Sequence, residues 1–333
     1  MLDQVSKHPR DLVAVACSHF GVSRQAINRH VRGLEQEGLI LASGATRKRS
    51  YKLAVISSHS LNAQVANLEE DRLWRTEIAP LVEALPGNAR DIWHYGFTEM
   101  VNNVVDHSLG SNVAVSIQST AVSTIIWIRD DGIGIFKKIR LEMGLEDERH
   151  AVLELAKGKL TTDPDNHTGE GIFFCSRVFD EYAILSGEVF FSHQFEDEED
   201  WIMERERPDM GTAVYMSLHN NTRRTTTEVF DKHTSKDGSY GFTRTVVPVR
   251  LLKHGVEKLV SRSQAKRLLA RFDQFKVVVL DFSGVDIIGQ AFADEIFRVF
   301  VARNPNVKIV PITMKAAVKK MVTRARQIGT LRP

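Results

Sequence analysis

The segment TEMVNNVVDHS, residues 98–108, places a glutamate, two adjacent asparagines, an aspartate and a histidine within an otherwise apolar helical pattern. In a helix, Glu99 and Asn103 lie one turn apart, on one face. Asp106 or His107 follows on that face one turn later. The polar stripe is either the solvated side of an ordinary amphipathic helix or the wall of a ligand site.

Three glycine-containing segments follow this helix along the chain. After two strand patterns, IRDDGIGIFKK places Asp130 at a strand end beside Gly132 and Gly134, where a ligand can approach the backbone. HTGEGIFFCSRVFD has Gly169 and Gly171 at the start of a helix, whose free amides and positive dipole end suit phosphate. MGTAVYMSL then leads into a strand. Each segment alone is common, but the four in this order are specific.

Together the four segments resemble the ATP-binding domain shared by gyrase B, the heat-shock-protein-90 chaperones, histidine kinases and anti-sigma-factor serine kinases, the GHKL or Bergerat fold. EMVNNVVDH is similar to the N-box of that family, DDGIGI and TGEGIFF to its two glycine boxes, and GTAVYM to its last motif. The resemblance covers residues 88–220 and implies ATP and Mg²⁺ as ligands.

The resemblance also implies a role for each matching residue. Asn103 would bind Mg²⁺ through its side-chain oxygen, a hard ligand for a hard cation. Glu99 would orient or deprotonate the attacking water or hydroxyl, unless it is an inert remnant in a protein that only binds nucleotide. Asp130 would accept a hydrogen bond from the adenine amino group. The remaining nucleotide contacts would be Gly132 and Gly134 at the base, Lys157 and Lys159 as lid residues at phosphate, Thr168, Gly169, Glu170, Gly171 and Ile172 at phosphate, and Thr212 near adenine.

Residues 1–56 have the spacing of a winged helix-turn-helix. A helical pattern stops at Gly21, a second helix begins after Ser23 as its N-cap, and a strand, a basic tip and a strand follow. The pattern resembles the winged helices of bacterial regulators and predicts DNA binding, although such a unit can also serve protein contacts alone. The predicted DNA contacts are Ser23, Arg24, Gln25, Asn28 and Arg29 on the helix and Arg47, Lys48 and Arg49 on the wing.

The remaining chain contains two connecting segments and a third domain. Residues 57–87 have a helical pattern and are predicted to be a connector, and polar residues 221–245 a linker. From 246 to 333, strand and helix patterns alternate, and VVVLDFSGVDIIGQAFADEIFRVF resembles STAS domains, more closely a STAS-like domain of unknown function. The turn at 288–291 offers no hydroxyl where STAS antagonists carry a phosphorylated serine. A docking or dimerisation module is therefore favoured over a phosphate acceptor.

Composition sets the outer limits of these predictions. With 333 residues, 44 Lys and Arg against 42 Asp and Glu, and two distant cysteines, the sequence predicts a cytoplasmic multidomain protein without disulfides or a membrane span. We expect multidomain α/β (α+β) structure: a winged helix, a Bergerat-fold α/β sandwich and a small STAS-like domain.

Three functions fit these domains. The first is a transcriptional regulator whose DNA binding or partner docking is controlled by ATP, which it hydrolyses slowly. The second is an anti-sigma-type serine/threonine kinase acting on a partner, and the third is a scaffold in which ATP is structural. Histidine autokinase activity is not expected, because no phosphoacceptor helix is present. DNA, a protein partner of the STAS-like domain and a second copy of the chain are the expected partners.

Overall fold

Three short helices and a β-hairpin form the N-terminal unit. The computed structural model describes residues 1–160, 169–195, 199–234, 242–253 and 258–330. Helices α1, α2 and α3 span Leu2–Val5, Leu12–Phe20 and Arg24–Gln36, and strands β1 (Ile40–Ser43) and β2 (Ser50–Leu53) pair antiparallel. Gly21 ends α2 with a φ of 64°, and the Ser23 hydroxyl caps α3 by accepting a hydrogen bond from the Ala26 amide. Both helix boundaries were predicted from the sequence.

An antiparallel sheet of five strands, in the order β3-β4-β5-β7-β6, forms the centre of the protein. Alternate side chains of β4 and β5, such as Val115 and Ile128, are buried against one helical layer. The strands are β3 (Ser57–Gln64), β4 (Asn112–Ser119), β5 (Ser123–Asp130), β6 (Glu181–Gln194) and β7 (Glu199–His219). The helices are α4 (Glu70–Leu73) and α5 (Ala79–Val82), joined by a π-helical turn, α6 (Gly87–His107), α7 (Ile135–Met143), α8 (Glu148–Lys157), α9 (Gly171–Val178) and α10 (Thr226–His233).

Two predicted connecting segments belong to this domain instead. The prediction of a helical connector over 57–87 was wrong at its start, because Ser57–Gln64 forms β3 and pairs along its length with β4. Its sequence, SSHSLNAQ, carries little apolar alternation, since one edge of the strand is open and its side chains are largely exposed. The predicted linker at 221–245 contains α10, which starts with a capping box between Thr225 and Glu228 and buries Val229. Its Thr-x-x-Glu pattern was visible in the sequence.

The C-terminal domain has a parallel three-stranded sheet in the order β10-β9-β8. Its strands are β8 (Arg244–Pro248), β9 (Val277–Asp281) and β10 (Lys308–Ile312). Its helices are α11 (Arg262–Leu269), α12 (Gln290–Asp294) continuing through a π-helical turn into α13 (Val301–Arg303), and α14 (Ala316–Thr330). The strand–helix alternation predicted beyond residue 246 is confirmed, and the protein is multidomain with mixed α/β structure. Within the described ranges no helix combines the length and apolar character that a bilayer span requires.

The N-terminal unit connects to the central sheet through a very short segment. Residues 54–56 separate β2 from β3, and the Ile56 amide donates to the Ser119 carbonyl at the end of β4 (2.8 Å). A second contact joins Asp3 of α1 to His219 at the end of β7, with 2.8 Å between Oδ1 and Nε2. The hydrogen bond from His219 lowers the pKa of Asp3. Both contacts join the N-terminal unit to the end of the central sheet.

Candidate functional site

A cavity of about 310 Å³ lies among α6, α7, α9, the end of β5 and the adjoining parts of β6 and β7. Aliphatic side chains form much of its wall, including Met100, Val104, Ile135, Ile184 and Val214. Its polar lining includes Asp130 and Thr212 on the sheet, Glu99 and Asn103 on α6, and further polar side chains at the end of α6 and on α7. An apolar cavity with a few converging polar groups is the usual form of a small-molecule site.

Asp130 is the last residue of β5. One of its carboxylate oxygens accepts hydrogen bonds from the protein, and the other is available to a ligand. Asp130 is 6% exposed, and Oδ1 accepts hydrogen bonds from the amides of Gly132 (2.8 Å) and Thr212 (3.2 Å). In the described part of the chain, Oδ2 receives no hydrogen bond, and the residue lines the cavity. Burial raises the pKa of this carboxyl, although the two amides oppose the shift. The geometry fits an N–H donor of a bound ligand.

The backbone around Asp130 is packed so closely that side chains are excluded. A Cβ on Gly132 would lie 2.1 Å from the Ser108 carbonyl oxygen. At Gly211, where φ is 75°, a Cβ would lie 2.0 Å from the Asp130 carbonyl oxygen. Gly132 and Gly134, which were predicted to lie at the base, do not line the cavity themselves but adjoin Asp130 and the start of α7. Gly211 was not predicted as a site residue, although the Gly-Thr pair at the strand was noted.

Thr212 connects the same two elements. Its hydroxyl oxygen accepts a hydrogen bond from the Ile135 amide at the start of α7 (3.0 Å), while its own amide donates to Asp130. Both Thr212 and Ile135 line the cavity. The threonine thus fixes the first turn of α7 relative to the carboxylate of Asp130.

Glu99 and Asn103 lie on the face of α6 that borders the cavity, one turn apart as predicted. The Nδ2 atom of Asn103 is buried, and no described residue accepts a hydrogen bond from it. Such an atom requires an acceptor, because an unpaired buried donor is costly. The Glu99 carboxylate packs against the start of α9, where Oε2 would be 2.0 Å from a Cβ on Gly171. Gly171 therefore makes room for Glu99 as well as opening the helix.

The Asn103 amide fits a divalent cation that takes most of its ligands from elsewhere. Across the described ranges, no group of three or more His, Cys, Asp or Glu residues could hold a metal ion. Mg²⁺ commonly keeps several waters and is bound through one or two protein oxygens together with substrate phosphates. The side-chain oxygen of Asn103 would supply a single protein ligand of this kind, with Nδ2 left to bind an anionic oxygen.

The N-terminus of α9 forms another part of the wall. Gly169, Gly171 and Ile172 line the cavity, and the first amides of a helix have no intrahelical acceptor. Glu170 occupies the N-cap position without a side-chain cap and does not line the cavity, and burial raises the pKa of its carboxyl. Thr168, the other residue predicted here, lies outside the described residues.

The side chains of Lys157 and Lys159, which were predicted to contact phosphate, face the C-terminal domain in this structure. Lys157 is fully buried, and its Nζ donates to Glu154 Oε1 (2.6 Å) and to two carbonyls at the end of α11 (3.2 and 3.0 Å). Lys159 donates to the Gln274 carbonyl (3.1 Å). Both residues lie in or next to α8, and no local sequence pattern indicates which domain packs on that helix.

A cation that the sequence analysis did not select lines the cavity instead. Lys138 on α7 donates to the His107 carbonyl at the end of α6 (3.1 Å) and lies 3.7 Å from Glu142. Lys138 lies one helical turn after the Asp-x-Gly-x-Gly segment. That spacing is the sequence signal from which its place at the cavity could have been predicted.

The predicted DNA-contacting side chains are mostly exposed. Arg24, Gln25, Arg29 and Lys48 are exposed and Asn28 is half-buried. Ser23 uses its hydroxyl to cap α3, and Arg49 is held by both carboxylate oxygens of Glu35 on α3 (2.7 and 3.0 Å). Arg49 therefore ties the segment between β1 and β2 to α3. The side chain of Arg47 is outside the described part of the chain.

Comparison with known proteins identifies the C-terminal region. Residues 264–319 match the family described as a STAS-like domain of unknown function (DUF4325). The match spans α11, β9, β10 and the helices between them, so the STAS-like domain predicted from the sequence is confirmed there. No curated protein matches the chain.

Proposed function

We propose that the cavity binds ATP with Mg²⁺ and that the protein is a transcriptional regulator controlled by this nucleotide, which it hydrolyses slowly. The observation that carries the proposal is Asp130, a carboxylate fixed by two backbone amides with its second oxygen available at an apolar cavity. The adenine amino group is a donor of the kind this oxygen requires, whereas guanine has a carbonyl oxygen at that position. Adenine is therefore selected over guanine.

The rest of the cavity fits the other parts of the nucleotide. Apolar side chains such as Ile184 and Val214 line the wall beside Asp130 and can contact the base. Asn103 and the start of α9 lie at another polar region, where the buried Nδ2 atom and the helix amides can bind phosphate oxygens. This arrangement also agrees with the family resemblance of residues 88–220.

Glu99 is the residue proposed to support hydrolysis. Its carboxylate lies beside Gly171 at the start of α9, next to the proposed phosphate position. There it accepts a proton from, or orients, the water whose oxygen forms the new bond to the terminal phosphorus, while the bond to the leaving diphosphate breaks. A bound Mg²⁺ offsets negative charge on the phosphates.

DNA binding is assigned to α3 and the wing, whose exposed cations suit the phosphate backbone. The three-residue connection to β3 and the Asp3–His219 contact link this unit to the nucleotide domain. Nucleotide controls DNA binding only if its affinity differs between two arrangements of the winged unit.

Two assays on the full chain test the proposal. Incubation with γ-labelled ATP and Mg²⁺ should release labelled phosphate slowly without labelling protein, and transfer of label to an added partner would instead favour a serine/threonine kinase. A mobility-shift assay on duplexes selected from a random pool should show DNA binding that changes with ATP. Identical shifts with and without nucleotide would refute the switch, and ATP binding with neither turnover nor an effect on DNA would favour a scaffold.

A further inference from the structure

Helix α8 separates the candidate nucleotide cavity from the STAS-like domain. Leu155 lines the cavity from this helix. Glu154 and Lys157, from the same helix, are 1% and 0% exposed and contact the C-terminal domain. The helix therefore has one residue in the site and two charged residues in the interface between domains.

Arg271, directly after α11, is the residue of the C-terminal domain that binds this region most extensively. Its Nη1 donates to Glu154 Oε2 (3.1 Å) and to the Glu154 carbonyl (3.3 Å). Its Nη2 donates to the carbonyls of Gly158 (2.9 Å) and Lys159. Arg271 itself has a φ of 63°, a conformation that a non-glycine residue rarely adopts without support from its surroundings. The planar guanidinium is suited to such a set of acceptors, which a single ammonium group cannot reproduce.

The segment that Arg271 holds leads directly into the cavity wall. Leu160 lines the cavity, and its amide donates to the carbonyl of Gly169 (3.0 Å), which also lines it. Gly169 is two residues before the first residue of α9, so the wall and the helix N-terminus are joined. Arg271 is not among the residues that line the cavity, but it fixes the two carbonyls that precede Leu160.

The charges at this interface reinforce one another. Burial alone would raise the pKa of Glu154, but His150, with Nε2 3.6 Å from Oε1, and the charges of Lys157 and Arg271 lower it, so the carboxylate stays ionised. Burial lowers the pKa of Lys157 to about 8, against the attraction of Glu154. Removal of one partner would leave buried charge and carbonyl groups without compensation. The docked position of the C-terminal domain is therefore strongly specified at the point where it meets the cavity wall.

We propose that Arg271 is a positioning residue for the nucleotide site, through which the STAS-like domain sets the affinity for ATP. Arg271 acts by holding residues 158–160 in the conformation that places Leu160 and Gly169 at the cavity. By thermodynamic linkage, a partner of the STAS-like domain that shifts Arg271 changes nucleotide affinity, and nucleotide changes partner affinity equally. This inference rests on the proposed ATP site.

The test compares Arg271→Lys with Arg267→Gln by calorimetric titration of the full chain with Mg·ADP. Arg267 is the matched control, since it bridges to Glu146 across the same interface (2.9 Å) but at an exposed position. Arg271→Lys retains the charge near Glu154 but leaves carbonyls without a donor, so it is expected to weaken ADP binding about tenfold and to lower the melting temperature, which is measured in parallel to show that the protein is folded at the titration temperature. Arg267→Gln is expected to bind as the unmodified protein does. A folded Arg271→Lys protein with unmodified affinity would overturn the inference.

Hydrogen exchange on the unmodified protein provides a test that does not depend on any variant folding. Mg·ADP should slow amide exchange both in residues 158–160 and in residues 269–275, although the latter do not line the cavity. Protection that stops at α8 would overturn the inference while leaving the ATP site intact. Absence of any ADP binding would instead refute the proposed function.

Discussion

Replacement of Asp130 by asparagine separates ligand recognition from folding. The amide oxygen can keep both hydrogen bonds that Oδ1 now accepts from Gly132 and Thr212, while an NH₂ group replaces the available oxygen. Burial raises the pKa of the carboxyl, so its ionised form is destabilised in the folded protein. Because the neutral amide avoids this penalty, we expect Asp130→Asn to change the free energy of unfolding by no more than about 1 kcal/mol.

The same substitution should strongly weaken adenine binding. A hydrogen bond to a charged acceptor contributes about 1.5–3 kcal/mol to the binding free energy. In the variant, the adenine amino group and the new side-chain NH₂ group are both donors and face each other unpaired, which adds a penalty of about 1–3 kcal/mol. A combined loss of roughly 3–5 kcal/mol corresponds to at least a hundredfold weaker affinity for ATP. The new NH₂ group can donate to the guanine carbonyl oxygen, which favours GTP. The ratio of ATP affinity to GTP affinity should therefore decrease by more than the ATP affinity itself does.

Isothermal titration with Mg·ATP and Mg·GTP, alongside urea unfolding, measures both effects. Asp131→Asn is the matched control, because that neighbouring carboxylate is exposed and accepts its hydrogen bonds from Ser111 and Asn112 outside the cavity. The control should retain nucleotide affinity. The account of Asp130 is wrong if the Asp130→Asn protein is folded and binds ATP as tightly as the unmodified protein.

Three further predictions concern catalysis, packing and pH. Glu99→Gln should keep ATP affinity but slow phosphate release at least about a hundredfold, and unchanged turnover would exclude Glu99 as the base. Gly211→Ala should cost at least about 2 kcal/mol of unfolding free energy, since its Cβ would meet the Asp130 carbonyl oxygen at a φ of 75°; an unmodified melting temperature would contradict this. Burial, with a contribution from nearby Arg177, lowers the pKa of His233 from 6.5 to about 4. As pH falls through this interval, His233 takes up a proton in the unfolded chain before it does so in the folded protein. The free energy of unfolding measured with urea should therefore fall by up to about 3 kcal/mol. His233→Asn should flatten this pH dependence, and an unchanged dependence would assign it to another group.

The elements that depend on local patterns could be predicted from the sequence. The spacing of Glu99 and Asn103 places both on one face of α6, and the glycines after β5 mark the turn at Asp130. Gly21 and Ser23 mark the boundaries of α2 and α3 because each satisfies backbone groups at a helix end. Such signals involve only a few neighbouring residues, so they can be recognised in the sequence without knowledge of the rest of the fold.

Features that depend on distant partners could not be predicted in this way. Lys157 is a basic residue in a polar stretch, and only the packing of α11 on α8 shows that it is buried with Glu154. Strand β3 is defined by its pairing with β4 rather than by its own weakly apolar sequence. The role of Arg271 combines contacts more than a hundred residues apart along the chain.

An adenine-nucleotide site built around Asp130 requires that the unmodified full chain bind ATP in the presence of Mg²⁺, which calorimetric titration with ATP and, in parallel, with GTP measures. We predict saturable binding of one ATP per chain, with GTP binding at least about tenfold more weakly because guanine has a carbonyl oxygen where adenine has its amino donor. Heat of mixing indistinguishable from dilution for ATP, or equal affinity for ATP and GTP, would contradict this prediction.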